Sequence, residues 1–172
     1  MAKYDIIYYG DNMNAGKKFE QIFKKSIPND SNVYYYRLKD GTASWNTNQA
    51  NVRFQSSNIA DSFLFAYGKL FIIELKSHKG KSIPLNCIRN SQVNGLLEAS
   101  LKNNVLPFII IYFSDVQQCF ALSIENYQLF THSFDRKSIP ISFCQSNGIP
   151  IKVIPKRTSF TLDIESFIEL FI

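Results

Sequence analysis

The chain has 172 residues, 45% of them hydrophobic and 15% aromatic, which is enough for one real core but short for two domains. A net charge of +5 and a pI near 9.1 suit a polyanionic partner such as nucleic acid without selecting one. No apolar run approaches the roughly 18 residues of a membrane span, and the start Met1-Ala2-Lys3-Tyr4-Asp5 lacks a signal peptide's apolar stretch, so a cytoplasmic protein with no membrane partner is expected.

The cysteines Cys87, Cys119 and Cys144 lie far apart and show neither CxxC nor CxH spacing, so they read as small buried apolar residues rather than zinc ligands or disulfide partners. From Asn14 to Lys25, Phe19, Ile22 and Phe23 recur at helical spacing behind Gly10-Asp11-Asn12, and Pro28 follows, which predicts a first helix. Val33 to Leu38 has strand character, and its tyrosines Tyr34, Tyr35 and Tyr36 read as core residues. The polar stretch from about residue 40 to 58 reads as an arm or long loop, in which Trp45, among polar neighbours, is the better candidate for a nucleic-acid contact. Ser62 to Tyr67 and Leu70 to Lys76 are strand-like and meet at Gly68-Lys69, the signal for a tight hairpin.

A polar, basic loop from Ser77 to Asn86 precedes a helix from about Asn90 to Lys102, with Val93, Leu96, Leu97 and Leu101 as its stripe, and Pro107 closes the connection. Phe108 to Phe113 is apolar on both faces, as a central strand covered by helices should be, and Cys119 to Ser123 supplies a neighbour. Further on, Ile151 to Ile154 predicts a short strand and Asp163 to Phe171 a terminal helix with Ile164, Phe167, Ile168 and Phe171 inward. The whole reads as a single α/β domain, residues 1–172, with a central mixed sheet flanked by helices.

A two-residue turn at Gly68-Lys69 pairs Tyr67 with Leu70, sets Phe63 opposite Glu74 and sets Asp61 opposite Lys76. Alternation then brings Asp61, Glu74 and Lys76 to one face, while Phe71, Ile73 and Leu75 point the other way. Two carboxylates held together repel unless a cation bridges them, and Asp and Glu oxygens suit Mg²⁺, whose retained water attacks a phosphodiester. Lys76 would stabilise phosphate charge or orient that water. A plain salt-bridge cluster at a strand end accounts for the same spacing.

Asp61 followed by Glu74-Leu75-Lys76 resembles the D…(D/E)xK centre of the PD-(D/E)XK nuclease superfamily. Within it, Asn14-Ala15-Gly16-Lys17-Lys18-Phe19-Glu20 resembles the first-helix motif of RecU-type Holliday-junction resolvases, as Ser82-Ile83-Pro84-Leu85 with Ser91-Gln92 resembles their downstream segment, and Lys137-Ser138-Ile139-Pro140 more faintly matches too. The resemblance implies a restriction-endonuclease-like core and a Mg²⁺-dependent endonuclease, with Mn²⁺ able to substitute. Its substrate would be four-way, branched DNA in recombination or repair.

The resemblance also implies that Asp61 and Glu74 hold the metal, that Glu20 completes the metal or water network, and that Gln92 reaches the centre from the following helix. Ala15 stands where those resolvases commonly carry an Arg, so Lys17 or Lys18 would take over its phosphate contact. Lys79 and Lys81 lie in a basic loop that either grips phosphate or is simply solvated.

Paired incisions imply a homodimer, with the Phe143 to Ile154 region or the terminal helix as interface. The rival readings are a restriction-type nuclease acting on unbranched duplex and a basic DNA-binding module whose centre is silent.

Overall fold

A computed structural model describes residues 14–39 and 58–172; the expected arm and Trp45 lie outside them. Helix α1 (Ala15–Lys25) starts where the Asn14 side chain accepts from the Gly16 N–H, and it buries Phe19, Ile22 and Phe23. Strands β1 (Val33–Arg37), β2 (Ser62–Ala66) and β3 (Lys69–His78) follow. They join β5 (Val105–Phe113), β6 (Gln118–Ser123) and β8 (Ile149–Ile151) in a six-stranded sheet ordered β1-β2-β3-β5-β6-β8. The sheet is mixed, since β3 and β5 run parallel while the other neighbours are antiparallel.

The parallel pair needs a crossover, and α2 (Asn90–Ser100) supplies it. Alternation along the strands gives the sheet two apolar faces. On one, Phe71, Ile73, Phe108 and Ile110 meet Phe19 and Phe23 of α1 and Ile164, Phe167 and Ile168 of α5 (Ile164–Glu169). On the other, Ile72, Ile109 and Ile111 meet Leu96 of α2, Ile124 and Phe130 of α3 (Ile124–Ser133) and Cys144 of α4 (Ile141–Asn147). Covered on both faces, β5 needs the unbroken apolar run its sequence carries.

Several expectations are corrected. The hairpin turns at Tyr67-Gly68 rather than Gly68-Lys69, with Ala66 opposite Lys69, Ser62 opposite Ile73 and Phe63 opposite Ile72 instead of Glu74. Both turn residues have positive φ, 47° and 80°, the type I′ geometry that matches strand twist. The Tyr67 N–H donates to the Asn32 carbonyl, and its hydroxyl donates to Asp30, so neighbouring chain anchors the tip. A two-residue slip leaves every side chain on its expected face, so hydrophobic alternation could not distinguish the registers.

Leu101 is 80% exposed just beyond α2 instead of extending its stripe. Pro107 lies buried inside β5, where the ladder to β6 has not yet begun and a missing N–H is tolerable. The segment after His78 is less of a loop than expected. β4 (Ser82–Pro84) pairs with β7 (Ser138–Pro140), so the two Ser-Ile-Pro segments lie against each other.

Ile151 to Ile154 divides between β8 and β9 (Val153–Pro155), and β9 pairs with β10 (Phe160–Leu162) in a separate two-stranded sheet. The terminal helix packs its apolar side on its own core, with Phe171 edge-on to Phe71, while Leu170 and Ile172 beyond it are exposed. Cys119 and Cys144 are buried and Cys87 half-buried. Burial pushes the Cys144 thiol up to about 12 and raises that of Cys119, so both are inert. Among the described residues no helix is long and apolar enough to cross a membrane.

Candidate active site

Asp61 immediately precedes β2, and its backbone is held on both sides. Its N–H donates to the Ile73 carbonyl of β3 (3.1 Å), and its carbonyl accepts from the Leu38 N–H beyond β1 (2.8 Å). Carried one residue past Ser62 and Ile73, the register sets Asp61 beside Glu74 rather than Lys76. Alternation still puts Asp61, Glu74 and Lys76 on the face that packs α2.

Glu74 is only 1% exposed, in mid-sheet between apolar neighbours. Lys76 Nζ stands 2.6 Å from its Oε1, yet neither carboxylate oxygen takes an aligned hydrogen bond. The contact is an ion pair whose geometry leaves both acceptors unsatisfied, although buried charge ordinarily demands both pairing and hydrogen bonds. Asp61 Oδ2 accepts from the Leu75 N–H at 2.7 Å. Burial first, then the charge of Glu74, pushes the Asp61 carboxyl up to about 7, while the Leu75 N–H and the Lys76 ammonium oppose the rise.

Glu20 and Gln92 approach from opposite layers. Glu20, on α1, accepts from Arg37 Nε at 2.6 Å, and its charge adds to the rise at Asp61. Arg37 escaped the sequence reading. The available signal was its place in the alternation Val33, Tyr35, Arg37, which sets a guanidinium on the α1 side of β1. Gln92 is 3% exposed, and its side-chain oxygen accepts from the Arg89 N–H at 3.0 Å, closing the start of α2. It thus lies in the layer above Glu74 without donating to either Glu74 oxygen. Lys17 and Lys18 are exposed on α1, and Lys79 and Lys81 are exposed around Gly80, whose φ of 98° makes the turn between β3 and β4.

No group of three or more His, Cys, Asp or Glu side chains gathers among the described residues. The pair Asp61 and Glu74 nonetheless fits a hard cation. Two mutually repelling carboxylates, with Glu74 buried, its Oε1 met only by the Lys76 ammonium and its Oε2 without a partner among the described residues, suit an ion that keeps several of its own waters.

The SPbeta prophage-derived uncharacterized protein YotM of Bacillus subtilis (strain 168) is 31% identical over 163 residues, spanning 86% of this chain and 82% of that protein. Among solved structures, Archaeoglobus fulgidus Hjc, a Holliday junction resolvase from an archaeal hyperthermophile, superposes over 78% of this chain and 95% of its own at 13% identity and a TM-score of 0.49. The sequence model of the family described as Recombination protein U, RecU, matches residues 12–168. With that match over most of its length, the chain belongs to the RecU family of Holliday-junction resolvases, metal-dependent nucleases of DNA recombination.

Proposed function

We propose that this resolvase cuts four-way DNA junctions with Mg²⁺ held by Asp61 and Glu74, and that it works as a homodimer. The observation that carries the reading is the buried Glu74 carboxylate, whose Oε1 has only the Lys76 ion pair and whose Oε2 has no partner among the described residues, beside an Asp61 whose carboxyl is pushed up to about 7. Such a pair is costly without a cation and suited to one. When bound, Mg²⁺ would supply a water of lowered pKa and neutralise phosphate oxygens, and Mn²⁺ meets the same oxygen-donor requirement.

The Leu75 N–H fixes the aim of Asp61 by occupying Oδ2. Lys76, ion-paired to Glu74, keeps a cation where charge develops on the scissile phosphate. Glu20 is steadied by Arg37 on the α1 side and completes the acidic surround, while Gln92 closes the centre from α2. Lys17, Lys18, Lys79 and Lys81 hold phosphates away from the cutting point, and Trp45 meets a base. Two equal incisions across a junction follow most simply from a two-fold pair of centres.

Cleavage gels comparing a four-way junction with a linear duplex, in Mg²⁺ and in EDTA, test the reading. Junction-selective, EDTA-sensitive cutting is expected, and Glu74→Gln should abolish it while retaining junction binding. Equal cutting of linear duplex would make the protein a restriction-type nuclease. Binding without cutting under either condition would make it a silent module. Light scattering checks the dimer, and a monomer that still makes paired incisions would overturn that part.

A further inference from the structure

The three consecutive tyrosines do not share one fate. Tyr35 packs toward α1, whereas Tyr34 and Tyr36 are 64% and 43% exposed on the opposite face, so their expected core role is corrected. In register, Tyr34 faces Phe65, itself 46% exposed, and Tyr36 faces the half-buried Phe63. Four aromatic rings thus stand in two tiers on the outer pair of strands. Their face is the one that carries Asp61 and Glu74, because Phe63 and Phe65 share the alternation of Asp61 along β2. Helices α2 and α3 cover β3, β5 and β6 on this side and Phe63 rests partly against that core, but Tyr34, Tyr36 and Phe65 remain exposed among the described residues.

Spacing ties the tiers to the cutting centre. Two residues of strand separate Asp61 from the Tyr36/Phe63 tier, about 7 Å, and four separate it from the Tyr34/Phe65 tier, about 13 Å. Lys76 stands at the centre's end of the same face. A strand whose phosphate lies at Asp61 and Lys76 would carry its next bases over these rings.

We infer that Tyr34, Tyr36, Phe63 and Phe65 form a stacking platform for unpaired bases next to the scissile phosphate of branched DNA, an inference that rests on the proposed cutting centre. Inside a duplex each base face is already stacked on its neighbour, so exposed rings have nothing to receive there. At a branch point that stacking is interrupted. Aromatic faces accept any base, which suits an enzyme that selects shape over sequence. A second copy of the chain seated on these tiers would cover the approach to Asp61, so substrate is the occupant that the position favours.

The test uses the full chain in EDTA with a four-way junction carrying 2-aminopurine at the branch point, and a linear duplex carrying it internally. Wild type should change the probe's fluorescence only in the junction. Tyr34→Ala with Tyr36→Ala should remove that change and weaken junction affinity about 10- to 100-fold, the range for losing one or two stacked bases, with duplex affinity unchanged. Tyr34→Phe with Tyr36→Phe should restore both, since the ring and not the hydroxyl stacks. An alanine variant that binds and cuts the junction like wild type overturns the platform while leaving the cutting centre standing. Equal loss on junction and duplex, or conversion of a dimer to a monomer by light scattering, also overturns it. Wild type that neither prefers nor cuts the junction overturns the functional reading itself.

Discussion

Replacing Asp61 with Asn should make the metal-free protein more stable at pH 8 while ending its response to metal. The Asp61 carboxyl is pushed from 3.8 to about 7, a difference of about 3 units, or about 4 kcal/mol as a ceiling at 1.36 kcal/mol per unit. The sign follows from which state holds the proton. Between pH 4 and pH 7 the folded chain keeps a proton that the unfolded chain releases, so this group's stabilising contribution is full below pH 4 and lost as pH rises through 7.

The introduced amide cannot ionise, so the loss disappears. Some of the gain is returned because an amide oxygen accepts the Leu75 N–H less strongly than a carboxylate does. We therefore expect a gain of about 2 kcal/mol at pH 8 in EDTA, or about 4–8 °C in Tm for a chain of this size. Thermal unfolding by circular dichroism at pH 5 and pH 8, in EDTA and in Mg²⁺, reads all the terms. Mg²⁺ should raise the wild-type Tm at pH 8 and leave Asp61→Asn nearly unmoved. A variant less stable than wild type at pH 8 in EDTA, or one that Mg²⁺ stabilises equally, refutes the reasoning.

Lys76→Ala should slow junction cleavage about 10²–10³-fold, by analogy with removing a preorganised donor; single-turnover kinetics within a few-fold of wild type would make Lys76 structural. It should also lower the urea midpoint in EDTA, because Glu74 then keeps a buried charge without its ion-pair partner. Tyr67→Asn places Asn-Gly in the type I′ turn, and relief of a bulky residue at φ 47° should outweigh the exposed hydrogen bond to Asp30, for a gain of about 0.5 kcal/mol in urea unfolding. A loss of stability would show that the Asp30 tether dominates. Gly95→Ala would set a Cβ 2.4 Å from Ile59 Cγ2, two residues before Asp61, and should cost about 1–3 kcal/mol together with a fall in cleavage rate. Unchanged unfolding and cleavage would mean that Ile59 yields freely.

What sequence could reveal about this molecule follows the strength of each periodic signal. Phe19, Ile22 and Phe23 mark one side of α1, and the two-faced apolar run of β5 marks a covered central strand, because burial leaves little choice at those positions. The short pieces after Ser133 are less legible. β7, β8, β9 and β10 are each three residues long, too short for alternation to speak, and β7 and β8 find their partners in distant segments, Ser82–Pro84 and β6. Arg37 and the fate of the tyrosines depend on which side of an edge strand is covered, and only the packed sheet decides that.

The shared face of Asp61, Glu74 and Lys76 is legible through an error because it rests on parity rather than on register. Counting from Gly68-Lys69 misplaces Asp61 by two residues along β3, yet a slip of two returns every side chain to its own face. A slip of one would have turned Asp61 toward α1 together with Phe63 and Phe65, which share its alternation. The apolar set Phe71, Ile73 and Leu75 prevents that slip, since exchanging it with Glu74 and Lys76 would drive two charges into the α1 layer. The carboxylate pair is therefore aligned by the hydrophobic residues between its members. The same alternation sends Tyr34 and Tyr36 to the face of Asp61 and Glu74 and Tyr35 and Arg37 to the side of Glu20, so one strand of five residues borders both layers.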